Sequence, residues 1–497
     1  MGRAHDARAR RQGREGSDLV SDTTASSRRS RRHAEAVDVK ETQPAENAAG
    51  EISPYELPGP TRRTNARKAR RGYYAPKLPG APSTTRQATV LNTALIGPVT
   101  GTSGVANGRD VLSHNLVTHD PVTAYNSTPR LISSPNTVVV GGVGGGKSSF
   151  VKTVFVLRPL VLAGRRAVIF DKKPRGNEGE YAELVREWGQ GEPIRFTQDG
   201  SGSRLNLLDP LIVSQIGDAG TYRLLHAIVR IARDGAQLDV WDEKAARAAL
   251  SQTLARFEDR RGATLADILP RLGRVDASDD DMSPASRDRL HQAGLGVRFT
   301  LEGLLEEYGG LLDGETSEGV DLTGKLTSFD ISQLPSEGPS SHVVRAIGNQ
   351  WMLGRLRTDP GWQTTCINEE GWDMVEGPAA HLLKSNQKLS RGLGLNNVFV
   401  FHKGTDIPKD SPGQTVISEA QSIYVFRQDR RDDADWAVRT FGFDPSTAEV
   451  LQALTPGHFV FKYGSVPETH VQHLRSDIEV TLTDTDEGMR GDGRQVQ

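Results

Sequence analysis

The chain has 497 residues, 36% of them hydrophobic, a mean hydropathy of -0.48 and a formal net charge of -2. That length exceeds one simple domain, and that hydropathy requires part of the chain to be unfolded or strongly solvated. A single cysteine, Cys366, excludes an intrachain disulfide and favours a reducing compartment.

Charge is unevenly spread. Residues 1–80 carry 17 Lys and Arg against 10 Asp and Glu, which leaves -9 on the remainder. A basic arm on an acidic body points to an anionic partner for the arm, nucleic acid or a lipid surface. The N-terminus lacks the apolar centre of a signal peptide, and Asp6 departs from the myristoylation pattern. The apolar stretch from Val154 to Ala163 is broken by Arg158 and Pro159, so no transmembrane segment is expected. The expected place is the cytoplasm, peripheral at the inner face of the membrane.

Residues 1–84 read as a disordered basic arm. Arg pairs (Arg28-Arg29, Arg31-Arg32, Arg62-Arg63, Arg70-Arg71) alternate with Ser, Ala, Glu and Pro, without apolar periodicity. With Tyr55, Tyr73 and Tyr74 the arm is either a solvated tail or a grip on DNA by charge and stacking. Residues 85–135 read as a small β-rich lead-in. Its pieces are Ala88–Leu91, Val111-Leu112 and Asn115–Val117, separated by turns at Gly97-Pro98, Asn107-Gly108 and Asp120-Pro121.

Residues 136–210 open an α/β core. Asn136–Val140 reads as a strand and runs into Gly141-Gly142-Val143-Gly144-Gly145-Gly146-Lys147-Ser148-Ser149, which fits G-x-x-x-x-G-K-[ST]. Glycines let consecutive N–H groups turn inward around phosphate oxygens, and the helix behind adds positive potential. Lys147 would reach the β- and γ-phosphates of ATP and the Ser148 hydroxyl would hold Mg²⁺. A helix is expected over Ser149–Leu162, kinked at Pro159 and stopped at Gly164, then a strand Ala167–Asp171. Strand, helix, strand predicts a mostly parallel sheet flanked by helices. Asp171 stands either at the ligand-binding carboxyl edge or as the cap of the next turn.

Residues 211–317 change to helical periodicity, with Leu224, Leu225, Ile228 and Ile231 on one face and Leu250, Leu254 and Phe257 on another, and read as an all-helical insertion. Residues 318–486 return to α/β: a strand at Leu326–Ile331, a helix carrying Val343, Val344, Ile347 and Trp351, and a strand Thr364–Asn368 ending in Glu369-Glu370. A helix over Ala379–Arg391 and strands at Val398–Phe401, Ile423–Phe426 and Phe459–Tyr463 follow, the last expected to be the final strand, and residues 487–497 read as a polar tail.

A phosphate loop binds; hydrolysis needs something to position water. Glu370 is the candidate for that role and Glu369 for the metal side, against the alternative of an acidic first helical turn. His402, at a strand tip, is either a γ-phosphate sensor or structural. Arg391 and Arg427 are either finger candidates acting in a neighbouring subunit or members of surface ion pairs.

The ordered set of Gly-Gly-Gly-Lys-Ser, Arg204–Asp209, Glu369-Glu370-Gly371-Trp372, Lys388–Gly394, Phe426-Arg427-Gln428 and Asp484-Thr485-Asp486 resembles the actinobacterial-type conjugative-transfer ATPases of the FtsK–HerA superfamily, relatives of the ATPase of type IV secretion. The resemblance covers about residues 85–486. It implies a RecA-like P-loop NTPase core with a helical insertion, in homo-hexamers with ATP and Mg²⁺ held between subunits, working with transfer-apparatus proteins. By position it makes Lys147 and Ser148 the phosphate and Mg²⁺ residues, Glu370 the water-activating residue, and Arg391 and Arg427 conserved basic positions. Two positions depart from the family: Glu369 stands where Asp is usual, and the sensor strand ends His402-Lys403. The expected activity is an ATP-hydrolysing motor for DNA or protein transfer. Its rivals are a double-stranded DNA translocase in segregation or repair, and a nucleotide-gated assembly module with little hydrolysis.

Overall fold

A computed structural model of the chain describes residues 103–257, 262–274, 281–335, 338–369, 391–404 and 413–484. The basic arm, the expected strand Ala88–Leu91, Glu370, most of the expected 379–391 helix and the C-terminal tail lie outside the described residues. In chain order the strands are β1 (Ala106–Asp110), β2 (Leu116–Thr118), β3 (Thr137–Val140), β4 (Arg165–Asp171), β5 (Pro174–Arg175), β6 (Glu178–Gly179), β7 (Ile194–Arg195), β8 (Leu326–Asp330), β9 (Gln363–Asn368), β10 (Leu395–Phe401), β11 (Ser422–Val425), β12 (His458–Tyr463) and β13 (Thr469–His473). Among the described residues, eleven of them form one sheet in the order β2-β1-β13-β12-β11-β3-β10-β9-β4-β8-β7, and β5 pairs with β6 as a hairpin.

From β11 to β7 every neighbouring pair is parallel; β12, β13, β1 and β2 add an antiparallel edge. Parallel strands need crossovers that put helices on both faces, so their residues are buried on both sides and read as continuous apolar runs. Val138-Val139-Val140 is such a run, and period two sorts it. Val139 joins Val398, Val400, Ile169 and Tyr424 on the face covered by the helix after the glycine loop. Val138 and Val140 join Phe399, Phe401, Ile423 and Val425 on the other face, under the helices Gly413–Glu419, Arg431–Phe441 and Thr447–Ala453. Further along that side, Val168, Phe170 and Phe329 pack with Trp351 of the Ser340–Thr358 helix and with the helices between β7 and β8.

Those helices are Pro210–Ala232, Val240–Arg256, Leu265–Ile268 and Pro284–Leu312. Local chemistry sets their starts. The side chains of Asp209, Asp239 and Ser283 accept from N–H groups of the first turn, and Pro210 and Pro284 sit where a missing N–H costs nothing. Leu224, Leu225, Ile228, Ile231, Leu250 and Leu254 are buried, as their spacing predicts.

The helix after the glycine loop starts at Lys147, two residues before the expected Ser149, because Gly146 turns the chain in the left-handed region immediately ahead of it. It is α-helical over Lys147–Val151, widens to a π-helix over Lys152–Leu157 and closes at Arg158–Leu160. The wide turn ends against Pro159, which has no N–H to donate and whose ring crowds the preceding turn. No helix among the described residues is long and apolar enough to cross a membrane.

Four expectations are corrected in the lead-in and at the end. Val111-Leu112 is not a strand but the turn after β1, with the Leu112 N–H donating to the Asp110 carboxylate at 3.0 Å. Asn107-Gly108 is not a turn but part of β1; a Cβ on Gly108 would lie 2.2 Å from the Gln472 carbonyl oxygen of β13, so glycine serves close strand approach there. Asp120-Pro121 begins a helix, Pro121–Asn126, whose Thr123 N–H donates to the Asp120 carboxylate at 2.8 Å. The strand Phe459–Tyr463 is not the last: β13 follows, then a helix Asp477–Thr483 capped by Ser476. β1 and β2 thereby join the main sheet at its antiparallel edge.

Phe150 is fully buried among the rings of Phe459 (4.7 Å), Tyr424 (4.9 Å), His473 (5.1 Å), Phe426 (5.4 Å) and Phe155 (5.9 Å). It joins the helix after the glycine loop to the antiparallel edge. Replacing it with Ala leaves a large cavity, so Phe150→Ala should cost about 3–5 kcal/mol. Chemical denaturation followed by circular dichroism checks this.

Candidate functional site

Register brings the carboxyl ends of the parallel strands to one edge. Val140 of β3 pairs with Phe401 of β10 and Val425 of β11, Asn368 of β9 pairs with Phe399 of β10, and Asp171 of β4 pairs with Asp330 of β8. The sheet order places β3 between two strands that come much later in the sequence, which makes its end a switch point where ligands bind.

The loop after β3 is pinned from both neighbours. Gly141 N–H donates to Phe401 O (3.2 Å) and Gly142 N–H to Arg427 O (2.9 Å). Gly146 has φ of 90°, which a side-chain residue adopts only with strain, and the helix begins at the next residue. Lys147 is buried and its Nζ donates to Gly142 O at 2.6 Å. Burial, then the neighbouring Lys173 ammonium, push the Lys147 pKa down to about 8, with Glu369 and Asp429 opposing.

Glu369 directly follows β9 and is fully buried. Its Oε1 accepts from the Tyr181 hydroxyl at 2.7 Å, and its Oε2 lies 3.3 Å from Lys173 Nζ. Its backbone oxygen accepts from Arg345 Nη2 at 2.8 Å. Lys173 Nζ also donates to Ser148 Oγ at 2.9 Å. One ammonium thus joins the hydroxyl at the head of the glycine-loop helix to the carboxylate at the tip of β9. Tyr181 stays protonated, its pKa raised well above the usual value by burial and then by Glu369, so it remains a donor.

The segment carrying Lys173 and Tyr181 follows β4 and includes the β5–β6 hairpin. Asp171 accepts from Tyr181 N–H (2.8 Å) and Lys173 N–H (3.3 Å), and Asp330 accepts from Gly179 N–H (2.9 Å). Asp171 therefore caps the following turn. Burial, chiefly, raises its pKa well above the carboxylate range. From the helix side, Lys152 Nζ sits 3.1 Å from the Glu180 carboxylate.

A cavity of about 730 Å³ opens over the loop. Gly144, Lys147, Ser148 and Ser149 form its floor, with Lys173 and Glu180 on one side. His402 also lines it, and Gly457, His473, Arg475 and Asp484 face it from the C-terminal edge. Of the residues singled out in the sequence, the structure brings Lys147, Ser148, Glu369 and His402 to this edge. Arg427 is engaged otherwise: its guanidinium is 2.9 Å from Asp429, in the surface-pair arrangement. Glu370 and the side chain of Arg391 lie outside the described residues; the Arg391 backbone starts a short 3-10 helix, Arg391–Leu393. Sequence reasoning missed Lys173, Tyr181 and Arg345. Lys173 had one signal, its place two residues beyond a strand ending in Asp; the others had none.

Ser148 Oγ and Glu369 Oε2 converge on one cation position, that of Lys173 Nζ, and both are hard oxygen donors. The pair therefore fits Mg²⁺.

The pH dependence of Lys147 follows from its depressed pKa. Below about 8 the folded chain holds this ammonium under strain; between about 8 and the ordinary 10.5 the unfolded chain keeps a proton that the folded chain has released. Stability should therefore rise with pH through that window on this group's account. Urea unfolding of wild type and Lys147→Met at both ends of the window checks it: the wild-type rise should be the larger.

No protein-family model matches the chain, and no curated protein matches it. Among solved structures it is similar to VirB4 of Thermoanaerobacter pseudethanolicus, at 17% identity and a TM-score of 0.63, covering 77% of this chain and 99% of that one. It is also similar to the plasmid coupling protein TrwB in complex with ADP and Mg²⁺, at 14% identity and a TM-score of 0.47, covering 76% and 91%. A second TrwB structure, of the bacterial conjugative coupling protein TrwBdeltaN70 in complex with sulphate, gives 15%, 0.48, 75% and 90%. At these identities the likeness to VirB4 establishes the architecture: the chain has the RecA-like P-loop NTPase fold.

Proposed function

We propose that the chain is a Mg-ATP-hydrolysing motor that powers DNA or protein transfer in conjugation or type IV secretion, as a homo-hexamer at the inner face of the cell membrane. The observation that carries the hydrolase reading is a cavity at the carboxyl edge of a parallel sheet, lined by Lys147 and Ser148, with the buried Glu369 carboxylate joined to Ser148 through the Lys173 ammonium. The ordered motifs of the sequence and the VirB4-like fold support the transfer role.

In this reading the N–H groups from Gly142 to Ser149 surround the phosphates and Lys147 neutralises charge at the β- and γ-oxygens. Ser148 and Glu369 would hold Mg²⁺, which would offset the charge that develops on the phosphate oxygens. Glu370, next along the chain from Glu369, takes the proton of the attacking water. His402 sits at the tip of β10, where it faces the same cavity and reports the terminal phosphate. Arg391 or Arg427 stabilises the leaving phosphoryl group from a neighbouring subunit. The basic arm contacts DNA.

Glu370→Gln should lower ATP turnover by about 100-fold or more while binding of a fluorescent ATP analogue stays intact. Lys147→Ala should lose the binding itself. Equal turnover in wild type and Glu370→Gln would sink the hydrolytic assignment.

A further inference from the structure

Lys173 stands in an unusual place. Its ammonium touches both oxygen groups that the nucleotide reading gives to the metal, Ser148 Oγ at 2.9 Å and Glu369 Oε2 at 3.3 Å. We propose that Lys173 and a divalent cation occupy the seat between Ser148 and Glu369 in turn, and that Lys173 passes to the terminal phosphate when the metal enters. This rests on the nucleotide-site reading above.

Three observations carry it. The Glu369 carboxylate is fully buried, so it needs a positive partner in every state of the site. Lys173 supplies that partner here, and two cations in contact with the same oxygens repel strongly where water is scarce. Next, the Lys173 backbone is held independently of the ammonium: the Asp171 carboxylate accepts from its N–H, while the side chain is 24% exposed on a flexible stem. The head can move without the loop unfolding. Last, the displaced ammonium has a destination. Lys173 and Lys147 line the same cavity, and an anion lying there would pair with both ammonium groups. A triphosphate is such an anion. Metal entry and phosphate binding are thereby coupled: metal that enters together with a triphosphate brings the anion with which the displaced ammonium pairs.

The test uses the full-length chain, Mn²⁺ as the metal probe, read by electron paramagnetic resonance, and a fluorescent ATP analogue. Lys173→Met should bind Mn²⁺ without nucleotide about tenfold more tightly than wild type, and the analogue with Mg²⁺ about tenfold more weakly. Lys173→Arg, which keeps the charge, should restore both toward wild type. Unchanged Mn²⁺ affinity in Lys173→Met overturns the exchange. Because Lys173→Met leaves Glu369 without its partner and can fail to fold, a second measurement uses wild type: acylation of Lys173 by a lysine reagent, read by mass spectrometry. Saturating Mn²⁺ alone should raise the labelling, and adding the ATP analogue should suppress it; labelling indifferent to Mn²⁺ overturns the proposal. If wild type fails to bind the analogue with Mg²⁺ at all, the nucleotide-site reading itself falls; if binding is normal and the Lys173 readouts do not move, only the exchange falls.

Discussion

The carboxylate of Glu369 is a charge placed where water does not reach. Breaking such a pair by removing one partner typically costs 3–5 kcal/mol, a large share of the roughly 5–15 kcal/mol that holds a domain folded. The requirement to keep Glu369 satisfied therefore constrains everything around it. Tyr181 and Lys173 reach the carboxylate from the segment after β4, while Arg345 of the Ser340–Thr358 helix donates to the Glu369 backbone oxygen. Through Lys173 the same constraint reaches Ser148 and the glycine loop. One buried residue, through its charge and its backbone oxygen, thus ties β9, the segment after β4, the helix 340–358 and the phosphate loop into a single edge.

Support for that edge lies one layer further in. Asp171 and Asp330, side by side at the ends of β4 and β8, accept the N–H groups of Lys173, Gly179 and Tyr181. A Cβ on Gly179 would come within 2.2 Å of the Asp171 carboxyl, so the segment lies directly on the strand ends. Lys152, itself fully buried, fastens the other side through Glu180. Side chains away from the cavity thus fix where Lys173, Tyr181 and Glu369 stand. The antiparallel edge adds the far wall of the cavity. Gly457 N–H donates to Gly145 O at 3.2 Å, and Phe150 seats the first turn of the helix among rings from β11, β12 and β13.

Helices and their caps are largely local. Asp209-Pro210, Asp239 and Ser283-Pro284 announce their helices because capping involves atoms within a few residues. The glycine loop is legible for the same reason: a left-handed turn before Lys147 needs Gly146, and a phosphate cradle needs exposed N–H groups. Buried parallel strands show as apolar runs because both faces are covered. Legibility ends where a residue acts through a distant partner. Gly108 resembles a turn signal, yet serves a strand contact made only when β13 arrives. β13 itself is short and polar, and exists as a strand by pairing with β12 and β1.

The chain alone therefore determined the α/β class, the place of the phosphate loop, the helical character of the stretch between β7 and β8, and the acidic end of β9, since each is written in neighbouring residues. Folding decided the strand order and, with it, the choice of Lys173, Tyr181 and Arg345 as the companions of Glu369. Tyr181 and Glu369 are 188 residues apart, and their 2.7 Å hydrogen bond depends on β4 lying beside β9. Backbone preference and apolar periodicity reach only along the chain; the costs of an unpaired buried charge, met by Lys173 and Tyr181, and of a bare buried carbonyl, met by Arg345, act across space.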